Sequence, residues 1–298
     1  MSIKTRIKAE LALCVDTLIW GLSFPVIKIL LEEVNPQNLV FLRSVIATII
    51  FLPFVFFSNQ NRKNFFKLMP IGAVLGLLYY ISYLTQTIGL QKIPSGRSAF
   101  ITSLSVVFVP LLSPLFKQGY PKKKDIISMI LALIGIFFLT DPFVSKGFSI
   151  GDSWTIICSL SFSIQILLLQ LVIKKYKFYM LISFFHIFFI MIFSSLSVFS
   201  HHSSIHIPHT LNGYYSLFYL SILAMFVTTF LQNRFQHETT AERASIIYAL
   251  EPVFASIFGY TLLNENQSLL NILGGGLVIM SVLWPIFFNL LTFRKKKD

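Results

Sequence analysis

Long apolar stretches recur along the whole chain and are separated by short polar connections. Each stretch holds about 20 mainly apolar residues, which as a helix is long enough to cross about 30 Å of hydrocarbon. The stretches are too long and too continuously apolar for the strands of a membrane barrel. The pattern predicts ten membrane-spanning helices, at 9–31, 37–57, 68–90, 96–116, 124–141, 151–173, 178–200, 213–235, 243–263 and 268–291.

The composition favours a membrane protein over a soluble one. The 298 residues are 55% hydrophobic and only 12% charged, and the mean hydropathy is +0.75. A soluble domain carries about 25% charged residues. Cys14 and Cys158 both fall inside apolar stretches, where they are expected to be small packing residues rather than a disulfide.

The basic residues are concentrated in alternate connections. If the N-terminus is cytoplasmic, the opposite side holds only Lys92, Arg97 and Lys146. The cytoplasmic connections and ends then hold Lys4, Arg6, Lys8, Arg62, Lys63, Lys67, Lys117, Lys122, Lys123, Lys124, Lys174, Lys175, Lys177, Arg234, Arg243, Arg294, Lys295, Lys296 and Lys297. Because Lys and Arg are enriched in cytoplasmic loops, we predict a multi-pass protein of the cell membrane, such as a bacterial inner membrane, with both termini in the cytoplasm.

The two halves of the chain are related by an internal repeat. A shift of 146 residues places Gln86 on Gln232 and Arg97 on Arg243, and the predicted spans also coincide. We predict two five-helix repeats, at 1–141 and 142–298. Five is an odd number, so the second repeat has the opposite orientation in the membrane. Inverted repeats are typical of secondary transporters, with the substrate site near the midplane between them.

Several short motifs carry a family resemblance. The first two spans contain Trp20-Gly21-Leu22-Ser23-Phe24, Lys28, Pro36 and Leu42-Arg43, and the later ones contain Ala249-Leu250-Glu251-Pro252-Val253-Phe254-Ala255, Asn264-Glu265 and Gly274-Gly275-Gly276. In this order the motifs resemble the EamA repeat of the drug/metabolite transporter superfamily. The resemblance implies a carrier of small metabolites, with amino-acid export the commonest assignment. Ser105-Val106 stands opposite Glu251-Pro252, so the first half lacks an acid that the second half has.

Polar and aromatic residues on the predicted inner faces suggest a substrate site. Tyr79, Tyr83 and Gln86 follow three- and four-residue spacing and share one helix face. Apolar walls with a few polar groups suit an amphipathic solute, although small hydroxyl residues also simply pack membrane helices together. The predicted substrate-binding residues are Trp20, Ser23, Arg43, Tyr79, Tyr83, Gln86, Ser98, Thr102, Gln232 and Tyr248.

Ionisable residues inside the spans need a specific reason, because each is costly in lipid. Arg43 is a candidate for binding a substrate carboxylate or for a structural ion pair. Asp16 is a candidate proton-coupling acid or a partner of Arg43, and Glu251 a candidate for proton or substrate binding or for a hinge beside Pro252. Lys28 is predicted to reach the surface, with Glu32 four residues on, and Glu265 to tie two helices together.

The sequence favours transport over other functions. The histidines at 201, 202, 206 and 209 lack an acidic or cysteine ligand, so no metal site is predicted. No catalytic motif or nucleotide-binding motif is present, so neither an enzyme nor a cofactor is predicted. The net charge of +12 lies in short clusters rather than in a basic groove, so nucleic acid is not expected as a partner. An integral membrane enzyme and a non-transporting scaffold remain the alternatives, and the oligomeric state is left open.

Overall fold

The chain is described from a computed structural model, which covers residues 3–139, 148–200, 204–265 and 268–294. Within these ranges the chain is helical and forms ten rods joined by short connections. We number the rods α1 to α10. They are α1 Ile3–Leu30, α2 Pro36–Phe56, α3 Asn59–Leu90, α4a Ser95–Thr102 and α4b Ser105–Leu112, α5 Lys123–Leu139, α6 Ile150–Tyr176, α7 Tyr179–Ser200, α8 at 211–235, α9a Ala241–Tyr248 and α9b Glu251–Leu263, and α10 Leu269–Arg294. The rod α8 consists of Leu211–Phe218, a π-helical stretch Tyr219–Val227 and Thr228–Phe235.

The described rods agree with a membrane-spanning bundle. Among the described residues, eight helices are long and apolar enough to cross a bilayer, and Leu269–Pro285 is an apolar helix of shorter length. The outer face of α5 exposes Ile130, Ile134 and Phe137, each between 44% and 51%. Such a face suits contact with lipid. The predicted all-helical membrane fold is confirmed, and the ten rods agree in number with the ten predicted spans.

Helix starts follow local capping chemistry. Asn35 accepts a hydrogen bond from the backbone N–H of Asn38 at the start of α2, and Ser149 forms a capping box with Asp152 at the start of α6. α3 begins nine residues before the predicted 68, because Ser58 caps it and the polar stretch from Asn59 continues the helix beyond its apolar part. The helix is therefore longer than its membrane-spanning segment.

The fourth and ninth rods are interrupted at equivalent positions. α4 breaks at Ser103–Leu104 and α9 at Ala249–Leu250, positions related by the 146-residue shift. The backbone angles also agree, with φ −70° and ψ −7° at Ser103 and φ −63° and ψ −8° at Ala249. Pro252 lacks the N–H that a continuous helix needs and accounts for the break in α9. The break in α4 has no such proline.

Helix packing follows the repeat. α1 packs on α9, and the equivalent first helix of the second repeat, α6, packs on α4. The contact between α3 and α6 is equivalent to that between α8 and α1. In the same way, the contact between α2 and α8 is equivalent to that between α7 and α3. α2 packs on its own counterpart α7, and α5 on its counterpart α10. Each of these contacts thus has a repeat-related equivalent, as an approximate two-fold axis between inverted halves requires.

The bundle has two ends, which we name for the direction of α1. The near end is where α1 begins, and the far end is where α1 finishes. At the far end Lys28 donates to the carbonyl of Ile93 at 3.2 Å and lies 3.9 Å from Glu265, so it is not paired with Glu32. Glu265 also accepts from the backbone N–H of Ser95 at 3.1 Å. The predicted inter-helix role of Glu265 is therefore present, and Lys28 belongs to the same contact.

Candidate functional site

A cavity lies at mid-height and extends into the far half of the bundle. α1, α3 and the end of α4a line it from the first half of the chain, and α6 and the start of α9b line it from the second. Its lining residues are Trp20, Ser23, Tyr79, Ser82, Tyr83, Gln86, Thr102, Cys158, Phe162 and Glu251. The two helix breaks therefore border the cavity, one through Thr102 and the other through Glu251.

The cavity is narrow in this conformation. The space around the lining atoms, including the part that is open to solvent, is about 380 Å³, but only about 30 Å³ of it has room for the centres of water molecules. That volume holds about two waters. A solute of ordinary metabolite size therefore requires the surrounding helices to separate.

An aromatic cluster forms the deep wall of the cavity. The ring of Trp20 lies 5.5 Å from that of Phe162 and 5.4 Å from that of Tyr248, measured between centroids. Phe162 is also 5.8 Å from Tyr248 and 6.2 Å from Tyr79, which it stacks on. Residues from α1, α3, α6 and α9 thus meet at one point, where rings present both apolar surface and π-faces.

A layer of amide side chains closes the near side of this cluster. The hydroxyl of Tyr79 donates to Gln232 at 2.6 Å, and Gln232 exchanges longer contacts of 3.4 Å with Gln165. The hydroxyl of Tyr248 donates to Gln236 at 3.3 Å. These side chains are buried, and their bonds connect α3, α6, α8 and α9 below the cavity. Gln232 therefore contributes to closing the site and does not line it.

The far half of the cavity is lined more sparsely. Gln86 donates to the hydroxyl of Thr102 at 3.4 Å, and Ser159 donates to the carbonyl of Thr102 at 2.9 Å. Ser98, one turn before Thr102, is fully buried behind the lining, and its hydroxyl has no hydrogen-bond partner. The contact between Gln86 and Thr102 is long and therefore weak, so the amide of Gln86 keeps hydrogen-bonding capacity inside the cavity.

Two acids lie at the cavity. Glu251 lines it with 5% of its surface exposed, at the first position after the α9 break. Asp16 is fully buried one turn before Trp20, close enough to Glu251 for electrostatic interaction, and neither of its carboxyl oxygens has a hydrogen-bond partner. The ion pairs formed by the described residues do not include an Asp16–Arg43 pair. Asp16 therefore does not form the predicted pair with Arg43.

Arg43 lies behind the cavity wall. Its guanidinium carbon is 3.9 Å from the centre of the Tyr83 ring, an arrangement that supplies a cation–π contact. Only 1% of the residue is exposed, and its Nε and Nη2 atoms have no hydrogen-bond partner. Tyr83 itself lines the cavity, and its hydroxyl donates to the carbonyl of Ala224 at 3.4 Å. Arg43 thus reaches the site only through Tyr83.

The structure brings most of the predicted site residues together. Six line the cavity, namely Trp20, Ser23, Tyr79, Tyr83, Gln86 and Thr102, together with the candidate acid Glu251. Arg43, Ser98, Gln232, Tyr248 and Asp16 surround it without being part of the lining. Sequence reasoning missed Ser82, which shares the spacing of Tyr79 and Gln86. It also missed Cys158 and Phe162, which carry no signal that separates them from packing residues.

The histidine-rich connection does not form a metal site in the part of the chain that the structure describes. No group of three metal-ligating side chains occurs there. His206 bonds only with the Ser204 hydroxyl, and His209 lies 3.3 Å from Glu33. The histidines at 201 and 202 lie outside the described residues. His186, in α7, bonds with Asn233 at 3.2 Å as a buried packing residue.

Ion pairs join the two repeats at both ends of the bundle. At the far end Arg97 of α4 donates to Asp152 of α6 at 2.7 and 2.8 Å. At the near end Arg243 of α9 donates to Glu10 of α1 at 3.3 and 3.2 Å. The two arginines are equivalent in the repeat, and each joins a fourth helix of one half to a first helix of the other. Such two-pronged contacts are geometrically specific.

Comparison with known proteins agrees with this architecture. A family model described as the EamA-like transporter family matches the chain twice, over residues 7–141 and 149–287. An uncharacterized transporter of Archaeoglobus fulgidus is 31% identical over 278 residues, which cover 93% of this chain and 85% of that protein. The uncharacterized transporter YoaV of Bacillus subtilis is 22% identical over 297 residues, covering 98% of this chain and 99% of the relative.

The fold also has a counterpart among solved structures. One crystal structure superposes with a TM-score of 0.74 at 14% sequence identity and covers 95% of this chain and 98% of its own. At that identity the likeness concerns the fold alone. The family model, in contrast, spans nearly all of both halves of the sequence. The chain belongs to the EamA-like transporter family and is a multi-pass membrane transporter.

Proposed function

We propose that this protein is a secondary transporter that moves small metabolites, amino acids first among them, across the cytoplasmic membrane by alternating access. The observation that carries the proposal is the position of the cavity, at mid-height and between the two repeats. Inverted-repeat transporters bind their solutes at such a position. The narrowness of the cavity supports a closed conformation that opens to either end in turn.

The lining supports an amphipathic solute. Trp20, Tyr79 and Phe162 supply aromatic surface, while Gln86, Thr102 and Ser82 supply hydrogen-bonding groups within the same space. Amino acids combine an apolar side chain with polar groups at one end and match this division. Export is the direction that the family resemblance favours.

Asp16 is the proposed coupling acid. A carboxyl group that is fully buried and unpartnered inside a membrane bundle is costly, and such groups often belong to proton pathways. Its place beside Trp20 and close to Glu251 connects it with the cavity. On this proposal Asp16→Asn removes the response of transport to a pH gradient while exchange of solute without a gradient continues.

The experiment is uptake and counterflow of a labelled amino-acid panel in proteoliposomes, with and without a pH gradient. Wild-type protein is expected to give saturable flux, and Gln86→Leu to reduce it about 10-fold or more, because a buried polar contact is lost. Gln91→Leu is the matched control, since Gln91 is exposed at the end of α3 and outside the lining. If no solute moves through folded wild-type protein, or both variants behave alike, the proposal fails.

We propose further that the near end faces the cytoplasm. The support is the distribution of Lys and Arg, which are concentrated at connections of that end. Single cysteines in place of Lys63 and Gln91, in a chain lacking Cys14 and Cys158, test it. In intact cells a membrane-impermeant thiol reagent is expected to label position 91 and to spare position 63. The reverse pattern contradicts the proposed orientation.

A further inference from the structure

The lining of the cavity contains an acid and no base. Glu251 is the only ionisable carboxyl group among the lining residues, and the lining holds neither Lys, Arg nor His. No hydrogen bond or ion pair among the described residues uses its carboxyl group. The groups close enough to interact electrostatically with it are Asp16 on α1, Tyr79 and Tyr83 on α3, Cys158 on α6 and Tyr248 on α9. None of these is a cation.

A buried carboxyl group in this position requires a positive partner. An unpaired carboxylate in a membrane interior is expensive, so it holds either a proton or another cation. The cavity beside Glu251 is also walled by the rings of Trp20, Tyr79 and Phe162. Aromatic faces attract an ammonium group when it is removed from water. The carboxyl group and the aromatic rings therefore both favour a ligand with an ammonium group.

The negative pole of a solute has no comparable partner. The lining donors are neutral groups, such as the amide of Gln86, the hydroxyl of Thr102 and the indole N–H of Trp20. The one buried guanidinium nearby, that of Arg43, lies behind the Tyr83 ring and outside the lining. A carboxylate entering the cavity thus exchanges its hydration for neutral donors only, whereas an ammonium meets a carboxyl group.

We propose that Glu251 binds the protonated amine of the transported solute and that this amine, rather than a carboxylate, is the feature the site requires. The inference rests on the proposed function and narrows it to amine-bearing solutes. A solute that keeps its amine and loses its carboxylate is accepted at least as well as the amino acid. A solute that loses its amine is rejected.

Matched solute triples test this order. One triple is phenylalanine, phenethylamine and 3-phenylpropionate, and a second is leucine, isoamylamine and 4-methylvalerate. Each competes with a labelled transported amino acid in counterflow without a pH gradient. We expect both amines to compete at least as well as the amino acids, and both deaminated acids to compete about 10- to 100-fold less well, because a hydrogen bond to a charged group is lost.

Variants of Glu251 separate amine binding from proton carriage. Glu251→Gln is expected to weaken competition by the amines about 10- to 100-fold. The control is Glu32→Gln, which should leave competition by the amines unchanged because Glu32 is an exposed acid at the far end. If Glu251→Gln keeps amine affinity and counterflow but loses gradient-driven uptake, Glu251 is a proton carrier and the inference is overturned. If the Gln variant does not fold, the amine requirement is tested by the order in which the solutes compete for the wild-type protein.

The two proposals fail in distinguishable ways. Equal or better competition by the deaminated acids overturns the amine requirement and leaves the carrier intact. Absence of flux for every labelled solute through folded wild-type protein overturns the carrier proposal, and the amine requirement falls with it.

Discussion

At the residue scale, Glu33 lies just after α1 and binds the connection that precedes α8. Its carboxylate accepts from the backbone N–H groups of His209 and Thr210 at 2.8 and 3.1 Å and from the Thr210 hydroxyl. Thr210 in turn caps α8 by accepting from the N–H of Gly213 at 3.0 Å. One side chain outside the spans thus joins the two repeats at the far end.

These bonds make the attachment dependent on pH. Hydrogen bonds from the Thr210 hydroxyl and the His209 backbone hold the pKa of Glu33 below its usual value of 4.5. The stabilisation is therefore fully present above pH 4.5 and is lost as the pH falls through the lowered pKa. Intrinsic-rate-corrected hydrogen exchange at His209 and Thr210 is expected to show protection that declines over this acidic range.

Glu33→Gln provides the comparison. We expect lower protection of the same two amides at neutral pH and no decline on acidification, because the amide cannot titrate. Glu32→Gln is the control, since Glu32 is exposed. Protection that stays constant in the wild type down to pH 3 contradicts the assignment.

At the element scale, the two helix breaks and the close approach of α1 to α9b shape the site. Gly21 faces the backbone of α9b directly, so that a Cβ there would lie 3.1 Å from the carbonyl oxygen of Glu251 and 3.2 Å from the nitrogen of Ala255. The Phe254 Cβ would be closer still. A residue without a side chain therefore sets the distance between Trp20 on α1 and Glu251 on α9b.

Gly21→Ala is expected to destabilise the protein. The added methyl group must separate two packed backbones, and overpacking of this kind costs about 1–3 kcal/mol. Gly276→Ala is the matched control, because no described atom lies within 4 Å of a Cβ at that position of α10. Alanine there is expected to be neutral or stabilising by about 0.5–1 kcal/mol. Thermal unfolding in detergent measures both, and equal shifts of the two variants contradict the packing argument.

At the scale of the whole molecule, the repeat places one ion pair at each end. Arg97–Asp152 holds the far end and Arg243–Glu10 the near end, and both are formed in this narrow conformation. Under alternating access, opening either end separates the helices that its ion pair joins. The pair at the closed end then stabilises the state that is open at the other end.

Cys158 reports which end is open, because it lines the cavity. The test uses a chain with Cys14→Ser and an impermeant thiol reagent applied from the far side. Arg97→Gln is expected to increase labelling of Cys158, because it removes the ion pair that keeps the far end closed. Arg243→Gln is expected to decrease labelling, because it removes the pair that keeps the near end closed. A pair that contributes about 1 kcal/mol changes the ratio of states about fivefold. The double exchange Arg97→Asp with Asp152→Arg is expected to restore the original rate.

Arg234→Gln is the control for this measurement. Arg234 pairs with Glu238, four residues further along the chain, so this ion pair lies within one repeat and does not join the two repeats. Equal effects of the Arg97 and Arg243 variants, in the same direction, contradict the two-ended arrangement.

The sequence by itself determined the ten apolar rods, the inverted repeat and most of the polar residues around the cavity. It did so because polar groups are expensive in lipid, so that those present inside a span mark its inner face. The sequence also suggested a hinge beside Pro252, and the structure has the break in α9 just before this residue. Tyr79, Tyr83, Gln86 and Glu251 were found on this basis, whereas Trp20 came from the motif that carries the family resemblance.

Only the tertiary structure decided which of these side chains share one space. The spans are apolar on nearly every side, so periodicity does not reveal which neighbour each face meets. Hence Phe162 was indistinguishable from lipid-facing phenylalanines, and the contact of Arg43 with Tyr83 rather than Asp16 was not foreseeable. The break at Ser103–Leu104, formed without a proline, likewise depends on packing between the halves, because no local residue demands it.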